Sequence, residues 1–291
     1  MPELPEVEQV ARELREVLVG RRLDGLLHAH PDVLRYGVGL GPASFAGRSF
    51  AGIGRRGKLL LFDLGDRLVL TVHLRMTGRL SVEPSAAERP AHCHLVWALG
   101  DDEELRFSDA RRFGRAQLLR RAELEADTFL RRLGPEPLDV ELADMRQRLR
   151  RRRGTLKGAL LDQSLVAGLG NIYVDEILHV ARLHPRLVAA TLREDEAVRL
   201  REAMRQILEA AIAAGGSTIR NYRRPSGELG GFQASHQVFG RAGEACRGCG
   251  GPVVKIVVVG RGTYLCPACQ PKRRRKIPSM RRVRASAGKR T

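Results

Sequence analysis

Apolar side chains at Val7, Val10, Ala11, Leu14, Val17 and Leu18 recur every three to four residues, with Pro5 suited to a first helical turn and Gly20 to a stop. This spacing predicts an amphipathic helix from Pro5 to Gly20, with Pro2 and Glu3 just ahead of it. Beyond it the pattern changes to short runs rich in Leu, Val and Phe, punctuated by Gly and Asp. The runs at 58–64 (KLLLFDL), 67–74 (RLVLTVHL), 94–99, 104–108 and 115–120 predict strands. Several strands without long helices between them predict an antiparallel β-sandwich. Leu133 to Asp139 (LGPEPLD), with two prolines and a glycine, predicts a linker, after which the helical period returns over roughly 139–150, 156–165, 171–182 and 194–214. The expected fold class is α+β: a β-sandwich with a leading helix over 1–132, a linker at 133–138, a helical domain over 139–232, a small unit at 233–271 and a tail at 272–291. No internal repeat is visible.

At 291 residues and 43% hydrophobic, the chain has material for about two ordinary cores, which excludes a wholly disordered protein. Charge adds a partner. The formal net charge is +18, only six of the 51 basic residues are lysines, and a polyanion is the expected ligand. Ten of those basic residues, and no acid, fall in 272–291, a solvated segment that raises non-specific affinity for nucleic acid. Aromatic residues make up only 4%, too few for a platform that stacks single-stranded bases, so contacts to a duplex backbone are favoured. No apolar run approaches the ~18 to 20 residues of a membrane span, and the start, MPELPEVEQ, has acids where a signal peptide carries positive charge. A cytoplasmic, nucleoid-associated protein without a membrane partner is expected.

Four of the five cysteines form the pattern Cys246-x2-Cys249-x16-Cys266-x2-Cys269. Two close thiolate pairs, separated by enough chain for a hairpin, complete a tetrahedral site for one structural Zn2+. Pro252 to Cys266 then reads as strand, Gly-Arg-Gly turn and strand, with Arg261 at the tip. Arg261 there either meets a phosphate or base edge, or is merely solvated on a zinc staple. Cys93, left over, is expected in the core.

At the other end, removal of Met1 would expose the secondary amine of Pro2 at the mouth of a helix. An α-amino group titrates near ~8, against ~10.4 for lysine, so much more of it is neutral and able to attack carbon at neutral pH. Glu3 and Glu6 stand ready to move protons. The same residues are also an ordinary helix start, with acids complementing the dipole.

The motifs MPELPEVE, Lys58 in RRGKLLLFDL, HLRMTGRL, DARRFGR, LLDQSLVAGLGNIYVDEIL, GGSTIRNYRRPSGELGGFQ and the four-cysteine finger together resemble the bacterial formamidopyrimidine-DNA glycosylases, in order from Pro2 to about Gln270. The resemblance implies a bifunctional base-excision enzyme that removes oxidised purines and then cleaves the abasic strand. It implies Pro2 as nucleophile, Glu3 as the acid that helps open the sugar ring, Glu6 as a supporting carboxylate, and Lys58 and Arg261 as further catalytic residues. Met76, Arg111 and Phe113 match the family's void-filling residues, with Arg112 beside them. A thioether and a flat ring can wedge between base steps, while a guanidinium can hydrogen-bond the widowed base. Leu156 to Leu183 resembles the family's helix-two-turn-helix, in which Gly168 and Gly170 would let a phosphate approach, Asn171 would cap the helix or donate to phosphate, and Lys157 would lie near the DNA. Ser217, Thr218 and Tyr222 fall in a stretch that matches the family's loop closing over the flipped base, which implies contacts to a base edge. Ala110 departs from the proline usual before the paired arginines, which would loosen the wedge loop. The implied partner is double-stranded DNA containing oxidised bases or abasic sites, bound by a monomer. Two rivals stay open: the sister, endonuclease VIII-like branch directed at oxidised pyrimidines, and a non-catalytic zinc-finger DNA-binding protein.

Overall fold

The computed structural model describes residues 1–219 and 222–273. The basic tail expected at 272–291 lies, beyond its first two residues, outside them. Helix α1 (Leu4–Leu18) leads, followed by ten strands: β1 (Arg22–Ala29), β2 (Leu34–Tyr36), β3 (Arg48–Ser49), β4 (Gly52–Arg56), β5 (Leu59–Asp63), β6 (Leu68–His73), β7 (Gly78–Pro84), β8 (Cys93–Leu99), β9 (Glu103–Asp109) and β10 (Arg115–Arg120). They form two five-stranded sheets, ordered β3-β1-β8-β9-β7 and β2-β10-β6-β5-β4. The sandwich is antiparallel as expected, except that β2 pairs with β10 in parallel. The sheets share one core, in which Leu23, Trp97 and Phe107 of the first meet Phe62, Leu70 and Leu118 of the second. Helix α1 adds Val7, Val10, Leu14 and Leu18 to that core, the stripe its apolar spacing predicts. Gly20, at φ +85°, takes the left-handed turn that ends it.

Two short helices, α2 (Arg121–Ala126) and α3 (Thr128–Arg132), cross the outer side of β6 and β10. The sequence pattern does not announce them, because each is too short to show a period. They lead into a connector at 133–138 that is pinned rather than loose. Glu136 accepts hydrogen bonds from Gly57 N at 2.7 Å and from Arg55 and Arg56, and Arg56 also donates to the Leu133 and Gly134 carbonyls.

Helices α4 (Leu142–Arg150), α5 (Leu156–Leu161), α6 (Asn171–Val180) and α7 (Glu194–Ala213) enclose a second core around Met145, Leu160, Tyr173, Ile177, Met204 and Leu208. Helix α5 stops four residues before its predicted end, because Asp162 folds back to accept from Ser164 N and Oγ and closes a local turn. The final hairpin, β11 (Val254–Val258) and β12 (Arg261–Leu265), packs on a small cluster of Val238, Val253, Cys246 and Cys266. So small a core cannot stabilise a fold by burial alone, and the hairpin depends on its metal. Its turn is Val259-Gly260, both at positive φ, rather than Gly-Arg-Gly; Arg261 opens β12, paired with Val258. Cys93 is half-buried at the head of β8 rather than in the core, with its thiol toward the Leu95 carbonyl.

Candidate active site

The amino terminus is held where the two large cores meet. Pro2 is buried ahead of α1, and Glu3 caps that helix with Glu6 reaching back to accept from Glu3 N at 2.7 Å. The Glu3 carboxylate lies at the start of α6, accepting from Ile172 N at 2.9 Å and Tyr173 N at 3.4 Å, while Leu4 N donates to the Gly168 carbonyl at 3.0 Å. These contacts give Gly168 and Gly170 a reason that differs from phosphate approach. A Cβ on Gly170 would stand 2.3 Å from the Glu3 carboxyl carbon, and one on Gly168 would stand 2.7 Å from the Leu4 side chain. Gly170 is itself the cap of α6, and Asn171 is the first helical residue rather than the cap.

Lys58 occupies the two-residue turn between β4 and β5 and donates to the Leu169 carbonyl at 2.7 Å. Burial pushes its ammonium toward the neutral form, opposed by the charges of Glu3 and Glu6 and reinforced by nearby Arg261. Glu3 is buried and its carboxyl is raised above the ordinary value, with desolvation outweighing Lys58 and the α6 amides. No bound DNA is needed for that desolvation.

Glu6 centres a second network. It accepts from the Tyr173 hydroxyl and from Ser217 N at 2.7 Å, and the Ser217 hydroxyl bridges Tyr173 at 3.2 Å to His236 Nε2 at 3.0 Å. Ser217, expected to face a base, is buried against Glu6. Thr218 closes the base of its loop, accepting from Gly230 N and donating to the Tyr222 carbonyl, and the Tyr222 hydroxyl reaches the Glu6 carbonyl oxygen at 3.3 Å. Tyr173 and His236 carry no signal in the sequence; the approach of α6 to α1 brings Tyr173 to Glu6, and His236, beyond α7, joins through the Ser217 hydroxyl.

Burial and the neighbouring Glu3 raise Glu6 to about 7. The folded protein therefore keeps a proton that the unfolded chain loses above the ordinary value of 4.5, so the Glu6 contribution to stability is full below that value and falls as pH rises to about 7. His73, which burial lowers to about 3, acts in the opposite sense below its ordinary value of 6.5, so the informative quantity is a difference between proteins. The stability of wild type relative to Glu6→Gln, measured by urea titration, should fall between about pH 5 and about pH 7.5. A constant difference would show that Glu6 does not titrate in this window.

Lys157 is fully buried, its ammonium 2.7 Å from Asp175 Oδ1 and 3.3 Å from the Gly262 carbonyl, so it faces the hairpin and not solvent. Asn171 Nδ2 donates to the same carbonyl at 2.9 Å, and its Oδ1 is buried with no partner among the described residues. Asp175 accepts from Tyr264 N, and Glu176 from the amides of Gln237, Val238 and Phe239. Helix α6 thus fixes the hairpin that carries Arg261, through acids that sequence reading passed over.

The four sulfurs of Cys246, Cys249, Cys266 and Cys269 lie within 4.8 Å of one another, with Cys249 to Cys266 at 3.5 Å and Cys246 to Cys269 at 3.9 Å. A tetrahedral Zn–S4 site with bonds of about 2.3 Å needs sulfurs about 3.8 Å apart, so the cluster fits one structural zinc with no open coordination position. His179 Nε2, at 3.4 Å from Cys246 Sγ, ties the site to the end of α6.

On the sandwich, Met76 is 44% exposed and Phe113 49% exposed at adjacent loop tips. The Arg111 guanidinium joins them, 4.7 Å above the Phe113 ring and 3.0 Å from the Met76 sulfur. Arg112 turns away at φ +52° toward His30.

An amino terminus clasped between a sandwich and a helix-two-turn-helix, beside a thiolate hairpin and an exposed cluster of Met76, Arg111 and Phe113, has the architecture of a DNA glycosylase of base excision repair. The comparisons agree. Family models match residues 1–116 (formamidopyrimidine-DNA glycosylase N-terminal domain), 133–223 (formamidopyrimidine-DNA glycosylase H2TH domain) and 243–272 (zinc finger found in FPG and IleRS). The formamidopyrimidine-DNA glycosylase of Desulfitobacterium hafniense is 42% identical, covering 93% of this chain and 100% of the relative. That of Symbiobacterium thermophilum is 44% identical, covering 98% and 94%. Among solved structures, a Lactococcus lactis FPG variant in complex with a Fapy-dG containing DNA superposes with a TM-score of 0.87 at 39% identity, over 93% of this chain and 100% of that one. MutM (FPG) from Thermus thermophilus gives a TM-score of 0.83 at 44% identity, over 92% and 98%. The chain belongs to the formamidopyrimidine-DNA glycosylase family, whose activities are base excision and abasic-site cleavage.

Proposed function

We propose that the protein excises oxidised purines, 8-oxoguanine and formamidopyrimidines, from duplex DNA through the amine of Pro2, and then cleaves the abasic strand. The observation that carries this reading is the burial of Pro2 beside two carboxyls raised above their ordinary value by burial, Glu3 and Glu6. The nucleotide is flipped out so that Pro2 can reach C1′; a bond forms from the Pro2 nitrogen to C1′ as the glycosidic bond breaks, and the proton lost from that nitrogen neutralises the departing base. Glu3, whose carboxyl burial raises above its ordinary value, gives a proton to the sugar ring oxygen as the bond from that oxygen to C1′ breaks. The resulting iminium acidifies the C2′ proton, whose loss expels the 3′ phosphate, and loss of the C4′ proton from the conjugated product then expels the 5′ phosphate. Lys58 and Arg261 supply positive charge beside this centre. Met76, Arg111 and Phe113 fill the vacated space, and the α6 start with Asn171 meets the backbone. Binding by a monomer, action at the nucleoid, and division into a catalytic sandwich at 1–132, a DNA-binding helical domain at 139–232 and a finger at 233–271 belong to the same reading. Among the described residues no helix is long and apolar enough to cross a membrane.

Arg111 supports the purine-directed branch, because cytosine presents O2 and N3 acceptors to a guanidinium while adenine presents a mismatched edge and a larger ring. Wild type should excise 8-oxoguanine faster opposite cytosine than opposite adenine, by about 1 to 3 kcal/mol if one donor pair decides it. Arg111→Ala should shrink that preference more than it slows cleavage at a preformed abasic site. Faster removal of thymine glycol or dihydrouracil than of 8-oxoguanine paired with cytosine would favour the pyrimidine branch.

A further inference from the structure

Asp109, the last residue of β9, is buried although it borders a loop whose residues 110–113 are all exposed. Its carboxylate joins two loops distant in sequence. Oδ1 accepts from the Thr77 hydroxyl and from Arg111 N at 3.2 Å, and Oδ2 accepts from Gly114 N at 2.6 Å. The Thr77 hydroxyl oxygen lies 3.3 Å from the same Arg111 amide. Thr77 follows Met76, and the Arg111 and Gly114 amides bracket Phe113. The backbone of Asp109 is fixed as well, since its N–H donates to the His92 carbonyl and its carbonyl meets His94 Nε2, both at 2.9 Å. Gly114 completes the fit, because a Cβ there would stand 2.4 Å from the Phe107 ring.

We propose that Asp109 and Thr77 form a clamp that makes Met76, Arg111 and Phe113 enter DNA as one rigid wedge, so that both are positioning residues for opposite-base discrimination. The inference rests on the void-filling reading of those three side chains. An arginine that must place a donor pair on an orphaned base needs its Cα fixed, and its own contacts to Met76 and Phe113 are solvent-exposed and weak beside a carboxylate accepting two backbone amides and a hydroxyl in a buried site. The clamp also bears on Ala110. The φ restraint that proline would supply before the arginines is replaced by the Asp109 carboxylate holding Arg111 N two residues on.

The experiment uses the full chain and single-turnover excision of 8-oxoguanine opposite cytosine and opposite adenine, alongside cleavage of a preformed abasic site. Thr77→Val removes the link between loops and keeps the bonds of Asp109 within its own loop, so folding is preserved. Thr77→Ser keeps the hydroxyl. The valine variant should lose about 3- to 10-fold of the cytosine-over-adenine ratio, the effect of one buried hydrogen bond, with a smaller change at the abasic site, and the serine variant should restore the ratio. Asp109→Asn should lose at least as much as Thr77→Val. An unchanged ratio in Thr77→Val, with Arg111→Ala still collapsing it, overturns the clamp alone. An unchanged ratio in both overturns the void-filling reading and the clamp with it.

Discussion

Protein that retains Met1, or carries one residue added before Pro2, will form no borohydride-trapped adduct with abasic DNA, while protein with a free Pro2 amine will be trapped. The reason is electronic before it is steric. Once acylated, the proline nitrogen is a tertiary amide whose lone pair is delocalised into the carbonyl, with neither a proton to lose nor electrons to give. The loss should be several orders of magnitude, as when a nucleophile is deleted from other enzymes. Binding should weaken far less, since the wedge, α6 and the hairpin are untouched. Lys58 makes the measurement discriminating. Its ammonium is pushed toward neutrality by burial and stands close enough to Glu3 for their charges to interact, so it is the alternative amine in the site. Undiminished trapping by blocked protein, abolished by Lys58→Ala, would transfer the nucleophile to Lys58.

Cys266→Ser will yield protein without zinc and with severely weakened affinity for abasic-site DNA. Cys266 is fully buried among the four sulfurs, and the core beneath the hairpin is too small to hold it without metal. As the hairpin unfolds, the Gly262 carbonyl leaves Lys157 and Asn171, and the Tyr264 amide leaves Asp175. Lys157 and Asp175 then meet water, and Arg261 loses its place near Lys58. The affinity loss should be about 100-fold or more if the hairpin contributes two or more charge-assisted phosphate contacts. Zinc content measured by elemental analysis should fall from one per chain to near zero, while the sandwich and helical cores keep their circular dichroism. Full DNA affinity in zinc-free protein would refute a structural role for the metal.

The amphipathic stripe of α1, the central strands, the helical character after Leu133 and the cysteine pairs were legible because each is written locally, as a period, a turn residue or a ligand spacing. Strand β1 was harder: it contains Gly25, and its pairing with β8 shifts register twice, so its alternation is broken. The ends of α5 and α6 moved inward because side-chain and left-handed turns, at Asp162 and Arg182, intervene before the apolar period stops.

The sequence by itself determined which chemistry is available: an amine-forming start beside two acids, four thiolates at zinc spacing, an arginine-rich charge and the wedge residues. Tertiary structure decided their protonation and orientation. The carboxyls of Glu3 and Glu6 are raised above their ordinary value because the docking of α6 and of the segment at Ser217 removes water from both. Lys157, expected near the DNA, pairs with Asp175, and Ser217, expected at a base edge, meets Glu6, because residues far apart in the chain close over them. Spacing along a chain fixes what neighbours can do together, whereas desolvation depends on everything packed around a group, and no local pattern records that.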